Sequence, residues 1–156
     1  MKISDLLDTT NVIPDMVASN KNDAIRKLVD TLSSRLDEKS LEMVRTAVME
    51  RESIMSTGVG KGLAIPHGKA SCLENTYAAY ARLVKPVDYE AIDDEPVRIL
   101  FLLVGPESQN SIHIKMLSRI SRLLNSSSFR EKLQENDSVE EIIELFRIEE
   151  AHFIRI

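Results

Sequence analysis

Cysteine is nearly absent from this chain: Cys72 is the only one among 156 residues. No internal disulfide can form, a reducing cytoplasmic setting is expected, and thiol catalysis has no supporting motif. Long apolar runs are missing too. No stretch approaches the roughly 18 residues that a membrane span needs, and MKISDLLDTTN lacks the apolar core of a secretory leader, so no membrane insertion is expected. Excess basic charge is also lacking. A net charge of −5 argues against nucleic acid as a partner, because neutralising a phosphate backbone takes clustered Lys and Arg. His67 and Cys72 have no second pair to complete a tetrahedral site, so no metal is expected. GVGKG lacks both the G-x-x-x-x-G-K-[ST] spacing and the third glycine of G-x-G-x-x-G, so no nucleotide cofactor is expected either. No G-x-S-x-G elbow anchors an esterase-like triad.

The residues present describe an ordinary globular protein, 43% apolar and 29% charged, of a length that suits one domain over residues 1–156. Ile25, Leu28, Val29, Leu32 and Leu36 share a helical face over Ala24–Leu36, with Asn20 or Asn22 placed to cap it. A second helix is expected from about Ser40 to Met49, delivering the chain to Glu50 and Arg51. Residues 53–72 keep neither period and read as a structured loop or short strands. Thr76–Val84 has strand character, and Val97–Val104 is apolar enough for a central strand covered on both faces. Asn110 or Ser111 can cap a helix burying Ile112, Met116, Leu117, Ile120, Leu123 and Leu124. Two shorter helices should follow, from capping boxes at Ser128/Glu131 and Ser138/Glu141. This order implies an α/β fold, a mixed β-sheet sandwiched between helices.

Four of the five glycines, at 58, 60, 62 and 68, surround one of only three histidines, His67. Pro66 fixes the backbone just before it and Gly68 leaves room just after it, which suits a presented ring. A neutral imidazole is a nucleophile near pH 7, and a covalent intermediate on it splits one difficult transfer into two easier ones. For phosphoryl transfer the protein must then position the group and stabilise its charge. Arg51 offers a planar fork for phosphoryl oxygens, and His113, near a helix start that disfavours a cationic ring, offers a neutral donor. Gly58, Gly60 and Gly62 could expose backbone N–H groups as an anion nest. His152, Cys72 and the tail AHFIRI receive no functional role.

RESIMSTGVGKGLAIPHGK resembles the active-site signature of the fructose-, mannitol- and nitrogen-regulatory-type enzyme IIA of the bacterial phosphotransferase system. VDYEAIDDEPVRILFLLVGPESQNSIHIKMLSRISRLL resembles the family's apolar strand and second-histidine helix. The resemblance covers a core of about residues 3–147 and leaves a short C-terminal tail. It implies phosphorylation of His67 on Nε2, assistance from Arg51 and His113, and supporting positions at Thr57 and Gly58. It further implies an HPr-like phosphoryl donor, and as onward partner either a IIB component or a regulated target protein. Read as a free-standing unit without IIB, IIC or HPr portions, the chain looks closer to the nitrogen-regulatory branch. The sugar-specific IIA for fructose- or mannitol-type uptake stays open as the alternative.

Overall fold

The computed structural model describes residues 1–154 and contains one mixed six-stranded sheet with helices on both faces. Its strands are β1 (Val12–Met16), β2 (Gly58–Gly60), β3 (Leu63–Ala64), β4 (His67–Ala70), β5 (Tyr77–Val87) and β6 (Val97–Pro106). The order is β1-β5-β6-β3-β2, with β4 continuing beside β6 beyond β3. β6 pairs antiparallel with β5 and parallel with β3 and β4, the central position that its unbroken apolar run demands.

Alternation along the strands divides the core in two. Ala79, Ala81, Leu83, Leu100, Leu102 and Val104 face one layer, made by α1 (Lys21–Asp30) and α2 (Glu38–Ile54). Tyr80, Ile99, Phe101 and Leu103 face the other, made by α3 (Asn110–Leu124), α4 (Ser127–Glu135) and α5 (Val139–Ile154). The expected sandwich is therefore present. Among the described residues, no helix is long and apolar enough to cross a membrane.

Element boundaries moved where side-chain chemistry outweighed periodicity. α1 starts at Lys21 because the Asn20 side chain accepts the Asp23 N–H, and a 3-10 turn at Thr31–Ser34 replaces its expected last turn. α2 begins after Asp37, which caps Ser40, and runs on through Ile54, so Arg51 lies on the helix instead of after it. Neither Asn110 nor Ser111 caps α3; Gln109 stands at the cap without a side-chain bond, after a 3-10 turn at Glu107–Gln109. Ser126, not Ser128, caps α4 by accepting the Phe129 N–H. Ser138 accepts the Glu141 N–H as expected, but α5 is 16 residues long and carries part of the expected tail in its last turns. Residues 155–156 of that tail lie outside the described residues.

Candidate functional site

His67 opens β4, whose side chains alternate between the two layers. Gly68 faces α2 so closely that a Cβ there would lie 3.1 Å from the Val48 N and 3.2 Å from the Ala47 carbonyl carbon. That contact is the reason for glycine after the histidine: it lets α2 lie directly against β4. One helical turn beyond Ala47 and Val48 come Arg51 and Glu52, so the same contact brings the end of α2 to His67. Pro66 contributes its carbonyl, which accepts the Leu103 N–H at 3.1 Å and keeps the strand on β6.

The His67 ring is half-buried, and its Nδ1 lies 2.8 Å from the Ile65 carbonyl oxygen. A carbonyl can only accept, so Nδ1 carries the hydrogen and Nε2 keeps its lone pair. Burial is the main cause holding the ring's pKa below its ordinary 6.5. The Ile65 carbonyl opposes the shift, the charge of Arg51 adds to it, Glu52 opposes it and Lys69 adds to it. The result at neutral pH is an uncharged imidazole with its free nitrogen defined by the backbone.

His113 comes from the facing layer, two positions further into α3 than a Ser111 cap would place it. Its ring centroid lies 5.8 Å from that of His67, with the planes tilted by 51°. It is only 5% exposed, yet among the described residues neither ring nitrogen has a hydrogen-bond partner. Burial foremost, then the positive charge His67 can acquire, and Lys69, push its pKa down to about 4. Two unpartnered buried nitrogens are costly in a core and call for an explanation.

Arg51 donates from Nη1 to the Met55 carbonyl oxygen at 2.9 Å, an exposed bond that satisfies the end of its own helix. Thr57 and Gly58 are placed differently from direct phosphoryl contacts. The Thr57 N–H donates to Glu52 Oε2 at 2.7 Å, its hydroxyl donates to Glu52 Oε1, and the Gly58 N–H donates to Ser56 Oγ at 3.1 Å. Gly58 is required for another reason: a Cβ would sit 2.8 Å from the Ala91 backbone and side chain. The glycine nest also lies elsewhere. Gly60, Lys61 and Gly62 all have positive φ in a turn whose Lys61 N–H donates to Asp93 Oδ2 at 2.9 Å. That turn leads into Leu63 opposite Ile99, four residues along β6 from Leu103, which is opposite His67; at the rise of an extended strand this is roughly 13 Å.

Glu52, Tyr89 and Lys21 form a buried cluster that the sequence reading missed. Glu52 is 5% exposed and accepts from Thr57, from the Tyr89 hydroxyl at 3.1 Å and from Lys21 Nζ at 3.1 Å. The signal was available: Glu52 extends the α2 stripe of Leu41, Val44 and Val48 at helical spacing, and a carboxylate at a buried position requires partners. Among the described residues, no group of three or more His, Cys, Asp and Glu gathers as metal ligands.

Comparison with known proteins identifies related chains. A family model described as the phosphoenolpyruvate-dependent sugar phosphotransferase system, EIIA 2, matches residues 5–148. A nitrogen regulatory protein of Bradyrhizobium diazoefficiens is 33% identical over 151 residues, 97% of this chain and 98% of that protein. The fructose-specific EIIA component of Haloferax volcanii is 33% identical over 142 residues, 86% of this chain and 91% of that protein. The crystal structure of the nitrogen regulatory protein IIA-Ntr from Neisseria meningitidis superimposes with a TM-score of 0.84 at 29% identity, covering 92% of this chain and 98% of that one.

Proposed function

Because the chain belongs to the phosphoenolpyruvate-dependent sugar phosphotransferase system EIIA 2 family, we propose that it works as a phosphoryl carrier through His67 Nε2. The single observation that carries this reading is the 2.8 Å bond from Nδ1 to the Ile65 carbonyl, which leaves Nε2 as the nucleophile. The Nε2 lone pair forms the new bond to phosphorus while the donor keeps the electron pair of the bond that breaks. Nδ1 retains its hydrogen throughout, so the phosphorylated ring becomes cationic and the Ile65 carbonyl continues to accept from it. A cationic ring is a good leaving group, which keeps the phosphoryl group transferable.

Arg51 is the main charge-stabilising group in this reading, because its resting bond is to a neutral, exposed carbonyl oxygen that it can surrender. His113 acts as a neutral donor. Thr57 and Gly58 support the site indirectly, Thr57 by holding Glu52 and Gly58 by admitting Ala91. The donor is HPr or its nitrogen-branch homologue in phosphorylated form, and the setting is cytoplasmic. The nitrogen regulatory relatives support use of the phosphorylation state as a signal to a regulated protein. The fructose-specific relative supports the second reading, onward transfer to a IIB component.

Incubation with 32P-labelled phospho-HPr should label the wild type and leave His67→Ala unlabelled. Equal labelling of the folded His67→Ala variant would remove His67 from the role. Comparing proteins retained by the phosphorylated and unphosphorylated forms separates the two readings: a regulatory switch requires different sets, whereas a sugar relay requires transfer of the label to IIB.

A further inference from the structure

β4 and α3 are joined by two parallel rungs. The first is the His67–His113 pair, with ring centroids 5.8 Å apart. The second lies two residues along the strand and three residues back along the helix. There Lys69 Nζ donates to the Asn110 side-chain oxygen at 2.5 Å. His67 and Lys69 are on the same face of the strand, opposite to buried Gly68, so their Cβ atoms are roughly 7 Å apart. Lys69 is exposed, and its ammonium rests on a neutral amide, not on a carboxylate.

We propose that Lys69 is a second catalytic cation of this site, held at rest by Asn110 and moving onto the phosphoryl oxygens as phosphorus bonds to His67. The inference rests on His67 being the phosphoryl acceptor. Arg51 reaches the ring from the end of α2 and Lys69 from further along β4, so the two charges approach the transferred group from different sides. Both wait on neutral oxygens, the Met55 carbonyl and the Asn110 amide. An ammonium leaving a neutral acceptor for an oxygen bearing part of about two negative charges exchanges an ordinary hydrogen bond for a charge-assisted one. The flexible lysine stem permits the movement without any change in the backbone. That Lys69 already bears on both rings, lowering the pKa of each, agrees with this placement.

The test is the rate of phosphoryl acceptance by the full chain at saturating phospho-HPr, followed by quench-flow. Lys69→Met should reduce the saturated rate by about tenfold or more, as expected for a lost charge-stabilising donor, with little change in KM. Lys69→Arg should restore most of it. Asn110→Asp should slow transfer by tying Lys69 to a carboxylate, and should slow it no further in the Lys69→Met background. Wild-type chain that takes no label would overturn the carrier reading itself. Labelled wild type with a Lys69→Met variant equally fast at saturation, or slowed only through KM, would overturn Lys69 alone. So would an Asn110→Asp effect that persists undiminished without the lysine.

Discussion

Replacing His113 by leucine should make the protein less sensitive to acid while removing a working part of its site. In the folded state the buried His113 ring has its pKa pushed from 6.5 down to about 4, burial being the first cause. A lowered histidine pKa means that the unfolded chain binds the proton more readily, so stability falls as pH drops through 6.5 and goes on falling toward 4. At pH 5 the folded ring is still almost wholly neutral and the unfolded one almost wholly protonated, which amounts to roughly 2 kcal/mol, with a limit of about 3 kcal/mol at lower pH. His113→Leu removes that term. Urea unfolding at pH 7 and pH 5 should show the wild type losing about 2 kcal/mol more than the variant between the two, or roughly 4–8 °C more in Tm for a chain of this size. At pH 7 the variant should be at least as stable, since an apolar group replaces two unpartnered nitrogens. Equal pH slopes for the two proteins would refute the reasoning, for they would mean that the ring is protonated as easily inside as outside.

Two further substitutions probe how α2 serves β4. Arg51→Ala should slow labelling from phospho-HPr by ~10²-fold while Tm stays close to that of the wild type, because the folded state loses only one exposed bond to a carbonyl. An unchanged quench-flow rate would dismiss Arg51. Gly68→Ala should destabilise the protein by about 1–3 kcal/mol in urea unfolding, since its Cβ meets the α2 backbone at 3.1–3.2 Å. It should also slow labelling, because moving α2 moves Arg51; wild-type stability and rate together would show that the helix gives way without effect.

Much of this was legible in the sequence because it depends on local rules. The β6 run, the apolar stripes of α1 and α3 and the Asn20 cap follow from period and capping, and they sufficed for a sheet sandwiched between helices. What escaped depends on distance in space. Gly60 and Gly62 looked like a phosphate nest because their positive φ suits one, but the anion they meet is Asp93, some thirty residues away. Thr57 lies in the same signature stretch as His67, yet its donors go to Glu52 on the preceding helix. Lys69 was passed over because nothing in the sequence shows that Asn110 lies beside it.

Glu52 presents the site's central electrostatic problem. It directly follows Arg51, and a free carboxylate there would pair with the guanidinium and repel an incoming phosphoryl group. The fold disposes of this charge by turning it inward, where Lys21 neutralises it and Thr57 and Tyr89 fill its remaining acceptor positions. Breaking such a buried pair is costly, so the carboxylate is held away from Arg51 by the stability of the core itself. Among the described residues Arg51 and Lys69 rest on neutral partners, and a carrier needs cations of this kind. A cation bound to a fixed carboxylate could not respond to phosphorus, whereas one resting on an amide or a carbonyl can take up the group and release it again.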